Sequence, residues 1–150
     1  LRLPFAGRLL RDVHAAGLAR TLATMIEAKL PLVDGLKLAT RTVRNSVHRQ
    51  ALEAITEKVR AGGSLSTALR EAETFPPLLV YLAASGEAAV QLGPMLERAA
   101  EYLEREFESF TSAAMALLEP AIIVVMGALV ALIILAILLP ILQLQNLTGL

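Results

Sequence analysis

From Ala121 to Leu150 the chain carries no charged residue, and from Pro120 to Leu142 it reads PAIIVVMGALVALIILAILLPIL, with nothing more polar than Gly127. At about 1.5 Å per residue, roughly 20 apolar residues in a helix match the hydrocarbon core of a bilayer. The 23 residues from 120 to 142 are therefore long enough to cross one with some tilt. A helix buried inside a soluble protein is the alternative, but a 150-residue chain leaves too little other mass to surround it. The stretch lies at the C-terminal end and exceeds the roughly 7–15 apolar residues of a signal-peptide core, so it is read as a transmembrane anchor. It also accounts for a composition of 55% hydrophobic and 19% charged residues, too apolar for an ordinary soluble domain and incompatible with disorder.

The formal net charge of zero hides a sorted chain. Residues 1–70 hold 12 basic and 5 acidic residues, and residues 71–119 hold 2 basic and 9 acidic, so the two parts are electrostatically complementary. The absence of Cys excludes disulfide frameworks, thiol nucleophiles and Cys-ligated metal sites, and two distant His residues do not build a His-rich one. Ala61-Gly62-Gly63-Ser64-Leu65-Ser66 is Gly-rich, but it lacks the G-K-[ST] ending of a phosphate-binding loop and follows a helix. The same residues fail the G-x-S-x-G nucleophile pattern because position 66 is Ser. Zero net charge and 4% aromatic residues argue against nucleic-acid binding. No cofactor or metal is expected.

Helical periodicity accounts for the rest of the chain. Residues 5–29 place Leu10, Val13, Gly17, Leu18, Leu22, Met25 and Ile26 at helical spacing, and Pro31 ends the run. A short second helix follows over 33–43, with Asp34 in its first turn. Asn45 and Ser46 then offer a break and cap before a third, over 46–60, whose expected buried residues are Val47, Ala51, Ile55 and Val59 and whose end is Gly62-Gly63. Ser64 caps a fourth that must stop before Pro76-Pro77, and residues 78–87 make a fifth. No segment has the sustained alternation of a strand. His14 reads as a packed or surface His, and His48, beside Arg44 and Arg49, as part of a basic surface.

In the sixth helix Leu96, Ala100, Leu103, Phe107, Phe110, Ala114 and Leu117 alternate steps of four and three, the seam of a helix facing a packed partner. Beside it run Glu97, Glu101, Glu104 and Glu108, either a solvated face with one Glu101–Arg105 pair or a docking strip for a basic partner. Arg41, Arg44, His48 and Arg49 surround the second inter-helix turn, either solvated or in contact with anionic lipid headgroups or an acidic partner. At the membrane junction, Glu119-Pro120, a kink or break is expected. Residues 100–119 contain Arg105 as their one base and the tail has none, so the positive-inside rule is locally silent about orientation.

Several short motifs occur in a telling order: Leu3-Pro4 with Gly7, Ala19-Arg20-Thr21-Leu22, Pro31-Leu32, Gly63-Ser64-Leu65-Ser66 with Ala68-Leu69, Phe75-Pro76-Pro77, Gly86-Glu87, and Leu118-Glu119-Pro120 opening a span that ends in Leu138-Leu139-Pro140-Ile141. In these the chain resembles the second cytoplasmic domain and last membrane helix of the type II secretion inner-membrane platform protein, general secretion pathway protein F, to which the pilus-assembly platform protein is related. The family pattern often has Gly where this chain has Lys29 and Val90. The resemblance implies a bundle of six helices in the cytoplasm, part of a polytopic protein with two such domains and three membrane helices. Leu1 is not Met, and the chain is read as a fragment whose natural N-terminal part is missing. The resemblance further implies a non-enzymatic protein that couples a secretion ATPase to pseudopilin insertion or extraction, with its C-terminus in the periplasm.

The expected fold is thus all-α: a six-helix antiparallel bundle over 1–119, a transmembrane helix over 120–142 and a short periplasmic tail over 143–150. Expected partners are the secretion ATPase, its membrane recruiter, pseudopilins, the inner-membrane bilayer and further copies of the chain. The candidate partner-binding residues are Glu97, Glu101, Glu104, Glu108, Arg41, Arg44, Arg49 and Glu87, with Glu87 read first as structural at a helix end and only second as a partner contact. The rival is a small membrane-anchored helical protein that dimerises or regulates.

Overall fold

The computed structural model describes residues 4–149, with side chains from Gly7 onward, and contains helices and no strand among them. The helices are α1 Pro4–Glu27, α2 Leu32–Thr42, α3 Ser46–Arg60, α4 Leu65–Ala72, α5 Pro77–Ala88 and α6 Leu92–Thr148. Most boundaries have a local cause. The Asn45 side chain accepts from the Val47 and His48 N–H groups at 2.9 and 3.4 Å and opens α3; Ser64 Oγ accepts from Thr67 N–H at 3.2 Å and opens α4. Pro77 sits at the first position of α5, where its missing N–H would have had no helical partner. Gly62, at φ 93°, turns the chain out of α3 so that Gly63 N–H donates to the Lys58 carbonyl at 2.9 Å.

Three helices close on a left-handed residue that is not glycine, α4 among them at Glu73 (φ 52°). Lys29 (φ 58°) closes α1, with Leu30 N–H donating to the Met25 carbonyl, and Val90 (φ 57°) closes α5, with Gln91 N–H donating to the Gly86 carbonyl. These are the two positions where the family pattern often has Gly. A β-branched residue in the left-handed region is strained by about 1–2 kcal/mol, and Val90, 92% exposed, recovers nothing by burial. Val90→Gly is therefore expected to stabilise the fold by about 1 kcal/mol, the relief of strain exceeding the entropy added to the unfolded chain. Urea unfolding checks this, and a variant no more stable than the parent would refute it. Gly86, one turn earlier, is held by proximity: a Cβ there would meet Leu92 Cα at 2.8 Å and Met95 Cβ at 3.0 Å.

The chain divides into two compact units, Leu1–Glu108 and Ser109–Leu150. In the first, α1 packs on α2, α2 on α3, α3 on α4 and α4 on α5, around one core to which α6 contributes Leu96, Ala99, Ala100 and Leu103. Almost half of the core positions are alanine, and they shift the buried faces from those expected. In α1 the buried stripe is Ala15, Ala16, Leu18, Ala19, Leu22 and Ala23, while Leu10 and Val13 are exposed. Small residues face the neighbouring helices because they let backbones approach closely; Leu22 Cδ2 would lie only 3.0 Å from a Cβ at Gly35 of α2. In α3 the buried residues are Leu52, Ile55 and Thr56, with Ala51 and Val59 at the margin, and Val47 lies outside on the first turn.

The second unit is one continuous stretch of α6. The helix carries both Pro120 and Pro140 internally, so the break allowed for at Pro120 does not occur. Proline forfeits a single backbone hydrogen bond, a loss that long apolar helices tolerate. The heptad seam is buried only as far as Leu103; Phe110 and Leu117 are exposed. Among the described residues, α6 is the one helix long and apolar enough to cross a membrane.

Candidate partner-binding surfaces

The acidic stripe of α6 is partly occupied by the chain itself. Arg20, on α1, reaches Glu104 as a fork: Nε donates to Oε1 at 3.2 Å and Nη2 to Oε2 at 2.7 Å, while Nη1 lies 3.7 Å from Glu97 Oε1. The hydrogen bond to Glu104 holds the Arg20 pKa above its ordinary value, with the charges of Glu104, Glu97 and Glu101 adding to it and partial burial opposing it. Glu101 lies 3.9 Å from Arg105. The Arg20 and Glu104 side chains are 40% and 45% exposed, so the pair contributes on the order of 1 kcal/mol or less. Its consequence is positional: it ties α1 to α6 and leaves Glu101 and Glu108, both exposed, as the outward part of the stripe.

At the second inter-helix turn, Arg41, Arg44 and Arg49 are exposed as expected. Arg49 also folds back on the turn, with Nε and Nη2 donating to the Val43 carbonyl at 3.3 and 3.0 Å, which satisfies an acceptor just past the end of α2. His48 departs from the expected basic surface. Its ring turns inward, 4.5 Å from the ring of His14 and 6.3 Å from that of Phe75 in an edge-on arrangement, with both nitrogens buried and without a hydrogen-bond partner among the described residues. Burial, reinforced by His14, pushes its pKa down from the usual 6.5.

The unfolded chain therefore takes up this proton before the folded one does. The stability associated with a neutral His48 is present above about pH 6.5 and is lost as the pH falls below it. His48→Phe is expected to flatten the decline in unfolding free energy between about pH 7 and pH 5, measured by urea unfolding across that range. A slope unchanged from the parent would count against it.

Glu87 reaches from α5 to the start of α4. Oε1 accepts from Leu65 N–H at 2.5 Å, and Oε2 accepts from Ser66 Oγ at 2.5 Å and from Ser66 N–H at 3.3 Å. A carboxylate placed on free N–H groups at the positive end of a helix dipole is a cap supplied by a neighbouring helix. Glu119 and Pro120 are exposed within α6. Among the described residues no three His, Asp or Glu side chains converge into a metal-binding group.

Residues 18–140 match the family described as type II secretion system (T2SS), protein F. The chain belongs to this family. It is 41% identical over 150 residues to the type II secretion system protein F of Aeromonas hydrophila, covering all of this chain and 39% of that protein. To the protein F of Pseudomonas aeruginosa it is 39% identical over 149 residues, 99% of this chain and 37% of the relative. The type IV pilus assembly protein PilC of the same organism is 36% identical over 149 residues, 99% of this chain and 40% of that protein. The chain thus spans about two fifths of the length of the curated relatives it matches. The matched region runs from within α1 through the packed helices and into the apolar part of α6.

The sequence-derived surfaces fall into two groups. The acidic stripe and the basic turn lie on the surface of the first unit, with Arg20 a member of the acidic cluster that periodicity did not reveal. Its signal was present only as the opposite net charge of the two parts of the chain. Glu87 faces Ser66 within the chain.

Proposed function

We propose that this chain is the second cytoplasmic bundle and last membrane helix of a non-enzymatic platform protein, which couples a cytoplasmic ATPase to pseudopilus or pilus assembly. The observation that carries the reading is the match over nearly the whole chain to proteins named for secretion and for pilus assembly, together with one helix apolar enough to span a bilayer. In this reading residues 1–119 form a cytoplasmic antiparallel bundle, 120–142 cross the inner membrane and 143–150 reach the periplasm. Antiparallel packing of α1 and α6 is supported by their register: Val13 shares a pocket with Phe107, Arg20 pairs with Glu104, and Ile26 meets Gly93. The Glu119-Pro120 pair marks the junction where the bundle's last helix enters the bilayer.

The partners are the secretion ATPase, its membrane recruiter, the pseudopilins and further copies of the platform. We assign protein contact to the outward part of the acidic stripe, Glu101 and Glu108, with Glu97 and Glu104 held behind them by Arg20. A photocrosslinking residue at Glu101 in the full-length protein in native membranes is expected to capture the ATPase, its recruiter or a pseudopilin, identified by mass spectrometry. Adducts only with proteins of unrelated systems would overturn the reading.

A further inference from the structure

We propose that the end of the bundle formed by the start of α1 and the α2–α3 turn docks on the anionic headgroups of the bilayer through Arg8, Arg11, Arg41, Arg44 and Arg49. The proposal rests on the reading that α6 enters a membrane, and it adds a second, electrostatic attachment to the covalent one.

Three contacts place these residues at one end. A cavity of about 320 Å³ is lined by Val13 and His14 of α1 together with Thr42 and Val43 at the end of α2. The His14 and His48 rings, 4.5 Å apart, bring the start of α3 to the same level. A second pocket joins Val13 and Ala16 to Leu103 and Phe107 of α6, so this is also the end from which the chain leaves for residue 109. At the other end α1 meets the α5–α6 turn, where Ile26 contacts Gly93.

The chemistry of this end favours an anion. Arg8, Arg41, Arg44 and Arg49 are exposed. Arg11 is half-buried at the edge of a groove floored by Leu69, Phe75 and Val80 and lined also by Glu73, with its Nε buried inside. Exposed guanidinium forks such as those of Arg8, Arg41 and Arg44 suit phosphate oxygens. The acidic residues near this end are Asp12, buried on α1, Glu73 beside Arg11, and Glu101, Glu104, Glu106 and Glu108 on α6, of which Glu104 is engaged by Arg20; the exposed basic charge is presented by α1 and the α2–α3 turn, apart from the α6 carboxylates.

The tether selects the bilayer over a soluble acidic partner. Between Glu108 and Pro120 the chain spans no more than about 40 Å even if fully extended. Residues 109–118, SFTSAAMALL, carry no charge, and Phe110, Met115, Leu117 and Leu118 are exposed apolar side chains suited to the interfacial region. If α6 enters an anionic bilayer, this short connection keeps that surface within reach of the first unit, and docking needs no diffusional encounter. The same arrangement supplies in space the positive-inside signal that the residues flanking the span lack in sequence.

These 150 residues contain no Cys, so with any Cys elsewhere in the full-length protein replaced by Ser, Ser46→Cys provides a single labelling position at the start of α3. An environment-sensitive fluorophore there, on the full-length protein in nanodiscs, reads proximity to the headgroups through quenching by lipid-borne quenchers. Quenching is expected to be strong with phosphatidylglycerol present, weak in phosphatidylcholine alone and diminished at high salt. Each of Arg8→Gln, Arg41→Gln and Arg44→Gln is expected to weaken docking about fivefold, and the triple variant on the order of a hundredfold. Arg60→Gln, at the far end of α3, is expected to change nothing.

Equal quenching in both lipids, unaffected by the arginine variants, would overturn the proposal by showing that the tether alone sets the position. Absence of quenching, with crosslinks from position 46 to an acidic protein, would overturn it in favour of a protein partner. Insertion of α6 is measured separately by resistance to alkaline extraction. A chain that inserts and supports export without docking defeats only this proposal, whereas a chain that does not insert defeats the platform reading as well.

Discussion

Glu87→Ala is expected to destabilise the bundle by about 2–3 kcal/mol, among the largest effects of any polar substitution in the chain. The carboxylate accepts from two backbone N–H groups and one hydroxyl at the start of α4, at 2.5 to 3.3 Å. Removing it leaves the Leu65 N–H and the Ser66 groups, on two buried residues, without that acceptor, which costs more than the net strength of the bonds lost. Ser64 still caps Thr67 N–H, so α4 weakens without losing its entire N-terminal capping. Glu87→Gln retains one acceptor oxygen and forfeits the charge that favours the helix N-terminus, so it is expected to recover part of the loss. Urea unfolding of the full chain in detergent micelles, followed by ellipticity, measures both variants. If Glu87 served only a partner, the alanine variant would unfold like the parent and fail only in export. Combining it with Ser66→Ala should show a coupling of at least about 0.5 kcal/mol, since the two side chains act as one unit.

That cap illustrates which parts of the structure can be read from sequence. Asn45, Ser64, Pro77 and Gly62 act on their own few residues, so the limits of α3 and the starts of α4 and α5 are legible to within a residue. The left-handed closure at Lys29 and Val90 was indicated only by the family's glycines, because neither side chain prefers that conformation. Long-range pairing has no local signal. Arg20 and Glu104 are 84 residues apart, and Glu87 lies 22 residues from the helix start it caps. His48 stands among arginines in sequence and looks solvated, yet its helix phase carries it inward onto His14. The uncharged stretch that revealed α6 was legible in composition, but its continuity through Pro120 depends on backbone geometry that a proline-based rule opposes.

Leu22→Ala is expected to cost about 3–4 kcal/mol, while Leu10→Ala, twelve residues earlier on the same helix, is expected to cost less than about 1. Simple hydrophobic periodicity places both on one stripe, so the pair tests which face of α1 is buried. Leu22 is 1% exposed and packs against Gly35 of α2, in a core where alanines have already brought the helices close. Such backbones have little room to collapse further, and the cavity left by truncation stays largely open. Leu10 is 50% exposed, and its loss removes surface area rather than packing. A domain of this size has a net stability of about 5–15 kcal/mol, so the Leu22 variant would sit near the threshold at which cellular proteases remove unstable chains. On the proposed platform reading, export should then fall with protein abundance and be restored by lower temperature. For Leu10 the opposite pattern is informative: full abundance with lost export would mark this exposed leucine, one turn before Val13, as a contact made in the assembled machine. Equal destabilisation by the two substitutions would show that α1 is buried along the stripe drawn by its large residues and not along its alanines.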